Sequence, residues 1–266
     1  MKPVDPHDHH DHPEGLAADL RRLAALERRR GALRALAGLG ALAAVPLASR
    51  AAGSCVAIES ETAGPYPADG TNGNGHGTIN ALTQTGIVRS DIRSSFGSFS
   101  GTAAGVPLQV SLQLVSTASS CASLAGYAIY VWHCDRDTLY SLYTLKTQNW
   151  LRGLQATDSN GKLTFTTIFP GCYDGRWPHL HFEIYRSLAV ATQGTNSLKT
   201  TQMALPHGAC SKVYDGDFGY TDSAANLARI TLGTDSVFGD DKAAHERATM
   251  TGSAKAGYTA SLVVGI

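Results

Sequence analysis

Two histidines and two tyrosines are the side chains in this 266-residue sequence whose types and spacing could do chemistry. His179 and His181 are two residues apart in an alternating stretch, so a β-strand would place both imidazoles on one face. Tyr173 lies six residues before His179, and Tyr140 follows an apolar and aromatic run. Two imidazoles and two phenolates suit a ferric ion. Because a free tyrosine ionises near a pH of about 10, such ligation needs a strong Lewis acid.

The histidine pair alone leaves alternatives open. A His-x-His pattern on a strand also occurs in zinc and copper sites, in cupins and as a structural pair. No obvious carboxylate or thiolate completes a zinc or cupin pattern here. The sequence therefore predicts a metal site, with a structural pair as the alternative.

Short strands must position these residues. Alternating or continuous apolar stretches predict strands over 108–115, 127–132, 163–168, 179–185 and 258–264. A short helix is predicted over 223–229, and 149–155 is interpreted as a loop or a helical turn. The predicted fold class is all-β, a β-sandwich with long active-site loops and little helix, with a barrel as the alternative.

Composition excludes several classes of protein. With 22 basic and 22 acidic residues the formal net charge is zero, which argues against a general nucleic-acid binder. An apolar fraction of 43% and a mean hydropathy of −0.11 argue against both a disordered chain and a multi-span membrane protein. The sequence indicates a globular, turn-rich domain.

Residues 1–54 differ from the rest and are interpreted as a signal region. A His/Asp-rich leader precedes Arg29-Arg30 and a short Ala/Leu/Gly run, which predicts twin-arginine export without a stable membrane span. The alternative for this region is an amphipathic helix that belongs to the fold. A lipid anchor at Cys55 is an alternative to release of the exported domain. The β-sandwich domain is then assigned to 55–266.

Five cysteines all follow this region, and an exported domain favours one or two disulfides. The odd number leaves at least one thiol unpaired, and the sequence does not give the connectivity. The cysteines are Cys55, Cys121, Cys134, Cys172 and Cys210.

Three stretches, 127–141, 165–173 and 176–182, resemble the intradiol ring-cleavage dioxygenases, in particular protocatechuate 3,4-dioxygenase subunits and their exported single-domain relatives. The ordered pattern is Tyr…Tyr-x5-His-x-His with an arginine three residues before the first histidine. The resemblance implies that Tyr140, Tyr173, His179 and His181 bind a non-haem Fe(III), with Tyr173 and His179 axial. It also implies that Tyr173 is catalytic and takes a proton from the substrate.

The same resemblance implies further site residues. Arg176 matches a guanidinium that stabilises negative charge on the substrate ring, with a structural salt bridge as the alternative role. Gln202 matches an amide behind the ligands, and Tyr66 resembles a pocket-lining tyrosine or a packed turn aromatic. The chain departs from the family at Thr138, where glycine is common, and at Trp177 in the Arg-Trp-Pro-His motif, so the pocket shape and substrate are open.

The remaining histidines are predicted to lie outside the site. His133 is predicted to have a structural hydrogen-bonding role. The residues predicted to lie at the surface are His76, His207 and His245.

The activity that the resemblance implies is cleavage of a small aromatic diol with O2 to a muconate-type diacid, in a possible homo-oligomer. Two alternatives stay open: a non-catalytic exported β-sandwich module that binds metal or polymer, and a zinc or copper hydrolase.

Overall fold

Two β-sheets form the framework of the protein. The computed structural model describes residues 55–266, and the predicted signal region lies outside the described residues. The first sheet is antiparallel and contains, in spatial order, β6 (Arg152–Ala156), β5 (Ala128–Trp132), β8 (His179–Tyr185) and β9 (Lys199–Ala204). All seven residues of β8 are buried, so both faces of this central strand are covered.

The second sheet is built around β3 (Pro107–Ser116). On one side β3 pairs in parallel with β11 (Gly257–Gly265), whose other neighbour is β10 (Thr249–Ser253). On the other side it pairs with β7 (Lys162–Ile168) and then with the short β4 (Ala122–Ser123).

The core lies between the two sheets. Alternate residues of β3 point into it, and the side chains of Leu180, Phe182 and Ile184 face it from β8. The opposite face of β8 carries His179 and His181, which are buried under loops rather than in the core. The all-β sandwich predicted from the sequence is confirmed.

The smaller elements close the fold around this framework. A hairpin of β1 (Asp69–Gly73) and β2 (Thr78–Asn80) forms a separate small sheet. Two α-helices occur in the described chain, α1 (His207–Tyr214) and α2 (Ser223–Leu227). Backbone bonds from Arg89 to Leu154 and from Ile92 to Thr166 connect one edge of each sheet.

Two details differ from the sequence-based predictions. The interpretation of 149–155 as a loop or helical turn is wrong from Arg152 onward, because this segment pairs with β5 as β6. Helix α1 was not predicted. The predicted helix over 223–229 is confirmed, and it ends at Leu227.

One disulfide joins Cys55 to Cys121, and so ties the start of the described chain to the turn after β3. The other three cysteines are buried free thiols, so one bridge forms and three thiols are left. No helix in the described residues is long and apolar enough to cross a membrane.

Candidate metal centre

Four donor atoms converge on the covered face of β8. The Nε2 atoms of His179 and His181 are 3.1 Å apart. The Tyr173 hydroxyl oxygen lies 3.2 Å from Nε2 of His179, and the Tyr140 hydroxyl oxygen lies 3.4 Å from Nε2 of His181. The structure therefore brings together all four residues that were predicted as ligands.

The strand positions the histidines, and the surrounding groups set their orientation. Nδ1 of His179 lies 2.5 Å from the Trp177 carbonyl oxygen, so this nitrogen carries the proton and Nε2 presents its lone pair. The Trp132 ring stacks on His181 with 5.0 Å between centroids and 7° between planes. Both imidazoles are thus held in fixed planes with Nε2 toward the tyrosines.

Burial controls the protonation of the histidines. Removal from water lowers the pKa of His179 and of His181 well below the usual value. The positive charge of Arg176 lowers the pKa of both histidines further. The charge interaction with His179 also lowers the pKa of His181. Both imidazoles are therefore neutral near pH 7, which is the state that binds a metal ion.

The loop between β5 and β6 carries Tyr140. Its turn is fixed by Asp135, whose Oδ1 accepts the backbone N–H groups of Asp137 and Leu139 at 2.9 Å. Thr138 within this turn has a φ of 65°, in the left-handed region that favours glycine. The departure at Thr138 thus falls where the backbone conformation suits the glycine of the resembled family.

A second loop carries Tyr173 and packs closely on the first. The Gly171 N–H donates to the Asp135 carbonyl at 2.9 Å. A Cβ atom at Gly171 would lie 2.8 Å from both the Arg136 carbonyl oxygen and Cγ2 of Thr138. Glycine is required here because the two tyrosine-bearing loops are in backbone contact.

Arg176 is completely buried, and it lies close enough to His179 and His181 for its charge to act on both. Its Nε forms a salt bridge to Oδ2 of Asp235 at 3.0 Å, and one terminal nitrogen donates to Oε1 of Gln202 at 2.6 Å. Gln202 pairs with His181 across β8 and β9, and its amide donates to the Thr62 carbonyl at 2.9 Å. Arg176 and Gln202 are thus brought to the site, and Arg176 does have a salt-bridge partner.

Tyr66 also reaches the site. Its ring centroid lies 4.8 Å from that of Tyr140 and 5.0 Å from that of Tyr143. Tyr66 and Tyr173 are partly exposed, whereas Tyr140 and the two histidines are buried. The site therefore faces solvent on the side of Tyr66 and Tyr173.

Three further residues near the site were not predicted from the sequence: Asp235, Phe238 and Tyr143. Asp235 lies 59 residues from its partner Arg176, and no local pattern marks it. The Phe238 ring packs edge-on against His179, with 6.3 Å between centroids. Tyr143 follows Tyr140 by three residues, a spacing that could have suggested a common location.

The other histidines of residues 55–266 lie where they were predicted. His133 is buried, with Nδ1 2.7 Å from the Cys134 carbonyl oxygen and Nε2 2.7 Å from the Thr167 hydroxyl. Its role is structural hydrogen bonding. Within the described part of the chain, the exposed histidines are His76, His207 and His245.

The chemistry of the donor set tests which metal fits. Among residues 55–266, no group of three or more His, Cys, Asp or Glu side chains is arranged to hold a metal ion. The convergent set consists of two neutral imidazoles and two phenols, and phenolate is a hard, anionic donor that suits a ferric ion. The residues present fit Fe(III).

Comparison with solved structures identifies the architecture. An intradiol ring-cleavage dioxygenase from Tetranychus urticae superposes with a TM-score of 0.59 at 23% identity, over 80% of this chain and 95% of that one. The chain has the intradiol dioxygenase fold. A second dioxygenase superposes with a TM-score of 0.57 at 24% identity, over 73% of this chain and 91% of that one.

A third neighbour is catechol 1,2-dioxygenase from Pseudomonas arvilla C-1, with a TM-score of 0.51 at 18% identity, over 94% of this chain and 71% of that one. Neither a protein-family model nor a curated protein sequence matches the chain. At these identities the similarity establishes the fold, and an argument about chemistry depends on the site itself.

Proposed function

We propose that this protein is an Fe(III)-dependent intradiol dioxygenase that cleaves a small aromatic 1,2-diol with O2. The observation that carries the proposal is the convergence of two imidazole nitrogens and two phenol oxygens, with adjacent distances of 3.1 to 3.4 Å. This donor set lies beside a buried guanidinium in the intradiol dioxygenase fold.

Tyr140, Tyr173, His179 and His181 would hold the ferric ion, which when bound supplies a Lewis acid that activates a catecholate toward O2. The imidazoles are already neutral, because burial lowers the pKa of both. The two phenols must lose their protons for ligation, so loading the site releases protons to solvent.

The two tyrosines have different roles in this proposal. Tyr140 is buried and permanently placed, and its phenolate stays with the site. Tyr173 is partly exposed on the solvent side, so its phenolate oxygen can take up a proton from a substrate hydroxyl. The substrate would thereby give one of its two hydroxyl protons to Tyr173, and it would release the second to solvent to bind as its dianion.

Arg176 provides a fixed positive charge. Its salt bridge to Asp235 and its hydrogen bond to Gln202 hold the guanidinium in place before substrate arrives. A preorganised charge in a dry site stabilises the negative charge that develops on the substrate ring without reorganisation. Because it stays protonated, Arg176 has no lone pair to offer a metal.

Metal analysis, a visible spectrum and oxygen uptake test this function. The purified protein is expected to hold ferric iron, to be coloured by a phenolate-to-iron band, and to consume O2 with catechol, protocatechuate or hydroxyquinol. Hydroquinone is the control substrate, since its hydroxyls are not adjacent.

Tyr220→Phe is the matched control variant, because Tyr220 is a buried tyrosine whose hydroxyl bonds the Phe169 carbonyl in the sandwich core. A colourless protein that binds iron weakly and takes up no O2 would contradict the proposal and favour the non-catalytic binding module. Bound zinc or copper with hydrolytic activity would favour the hydrolase.

We also propose that the domain works outside the reducing cytosol. The Cys55–Cys121 disulfide supports this, because such bonds persist in oxidising compartments. Export by a twin-arginine signal in 1–54 remains a prediction.

A further inference from the structure

The carboxylate of Asp235 is almost completely enclosed and accepts four hydrogen bonds. Oδ2 accepts from Nε of Arg176 at 3.0 Å and from the backbone N–H of Trp177 at 2.6 Å. Oδ1 accepts from the backbone N–H groups of Val237 at 2.8 Å and Phe238 at 2.9 Å. Both oxygens are therefore used as acceptors, each by two donors.

The backbone of Asp235 is fixed as well. Its N–H donates to the Thr231 carbonyl at 2.9 Å, and its carbonyl accepts from the Gly239 N–H at 2.9 Å. The carboxylate is therefore presented from a rigid turn rather than from a free loop. A group held in this way can impose its position on its partners.

Two parts of the proposed active site meet at this carboxylate. Arg176 is held through its side chain, and Trp177 through its backbone N–H. The Trp177 carbonyl in turn accepts from Nδ1 of His179, which fixes the ring whose Nε2 faces the tyrosines. Phe238 packs its ring against His179 and under the Arg176 guanidinium, 5.8 Å from its centre.

We propose that Asp235 is a positioning residue that holds both the Arg176 guanidinium and the backbone turn orienting His179. The proposal rests on the proposed function for its catalytic consequence, but not for the positioning itself. None of the hydrogen bonds of the Asp235 side chain goes to one of the four donor atoms. Asp235 therefore acts on the site through Arg176 and Trp177.

Asparagine is an informative substitution because of this four-acceptor geometry. An amide has one acceptor oxygen and one donor nitrogen. In Asp235→Asn, either the Arg176 and Trp177 donors or the Val237 and Phe238 donors must therefore face an NH2 group. The substitution keeps size and shape but breaks one half of the clamp.

The first experiment uses the metal-free protein and does not depend on activity. In the wild type, nitrogen NMR is expected to show a solvent-protected Nε–H resonance for Arg176 and a single Nδ1–H tautomer for His179. Asp235→Asn should lose that protected resonance and mix the tautomers. Asp235→Glu, which keeps the charge and both acceptors, should preserve the protected resonance in part.

The second experiment uses the iron-loaded protein. Asp235→Asn is expected to lower kcat/KM with a catechol roughly 10- to 100-fold, as for other residues that orient metal ligands. The matched control is Asp158→Asn, which removes a carboxylate capping the turn before β7, where Oδ1 accepts from Asn160 and Lys162. The control should keep full turnover.

Clear outcomes would overturn the inference. A folded Asp235→Asn protein with the wild-type Arg176 resonance and unchanged kcat/KM would show that Asp235 does not position either group. A lowered melting temperature with both readouts unchanged would show a purely structural role.

If Asp235→Asn does not fold, the measurements are made on two other proteins. One is Asp235→Glu, and the other is the double variant of Asp235→Asn with Arg176→Ala, in which both charges of the pair are removed. In that double variant the loss of the single His179 tautomer is still expected, and its retention would overturn the inference. A wild-type protein that neither binds iron nor takes up O2 would overturn the proposed function, while the NMR comparison would still report on Asp235.

Discussion

The two halves of the candidate metal centre are positioned by different kinds of structure. His179 and His181 lie on β8, a central strand with a neighbour on each side, so regular sheet geometry places both rings. Tyr140 and Tyr173 lie on loops whose positions depend on backbone contact at Gly171 and a left-handed residue at Thr138. Changes to the loops should therefore affect the tyrosines before they affect the histidines.

The largest effects are expected from removing one donor of each half. His181→Ala and Tyr140→Phe should each abolish ferric iron binding and the visible band, measured by metal analysis and absorption spectroscopy. Loss of an orienting partner typically costs about 10- to 100-fold in metal affinity, and loss of a direct donor should cost more.

Tyr220→Phe is the control for both variants and should keep its iron. If Tyr140→Phe retained a full complement of ferric iron and its colour, the loop half would not belong to the site. The tyrosine loops and the histidine strand would then not form one metal site.

The next effect concerns Arg176, which lies in the sequence between Tyr173 of the loop half and His179 of the strand half. Arg176→Ala should keep iron and colour but lose roughly two to three orders of magnitude in kcat, as preorganised charge donors do. Arg176→Lys should rescue only part, because an ammonium does not reproduce the planar fork that bonds Asp235 and Gln202.

Stability must be measured alongside, since Arg176→Ala leaves the buried Asp235 carboxylate without its ion-pair partner. Breaking a buried pair costs about 3–5 kcal/mol of unfolding free energy. Near-normal oxygen uptake in a well-folded Arg176→Ala protein would leave Arg176 with a structural role alone.

A smaller effect should separate the loop half from the strand half. In Gly171→Ala, the new methyl would lie 2.8 Å from the Arg136 carbonyl and from Thr138, so the two loops must move apart. Overpacking of this kind costs about 1–3 kcal/mol. The phenolate-to-iron band should shift, because the phenolates move relative to the metal.

Gly208→Ala is the matched control, since a methyl at Gly208 meets no atom within 4 Å. It lies in the first turn of α1 and should leave both the melting temperature and the spectrum close to wild type. An unchanged visible band in Gly171→Ala would show that the loop contact does not position the tyrosines.

What the sequence could predict follows the same division. Strands such as β3 and β8 were predictable because their alternation reflects a core on one face. The histidine pair was predictable from strand geometry, and the tyrosines from resemblance. Strand β6 could not be predicted, because Arg152 and Gln155 interrupt the apolar alternation and the strand forms through pairing with β5. The role of Asp235 could not be predicted either, because the tertiary structure brings its partner Arg176 to it from 59 residues away.

The smallest predicted effect is at Thr138, within the turn that carries Tyr140. A β-branched residue at a φ of 65° is strained, and glycine occupies this region without a steric penalty. Thr138→Gly should therefore raise the unfolding free energy by about 1 kcal/mol, the lower end of the cost of such a conformation. Iron content should not change, because the turn already has the conformation that glycine prefers.

Thr251→Gly, in the exposed part of β10, is the control for Thr138→Gly and should have the opposite sign. Glycine in an extended strand should lower the unfolding free energy by a similar amount. Thermal melting of both variants checks the sign. If Thr138→Gly is also destabilising, the methyl contact of Thr138 with Gly171 outweighs its backbone strain. Side-chain packing would then hold the loop half at this position, as it holds the core face of β8. The two halves of the site would in that respect be stabilised in the same way.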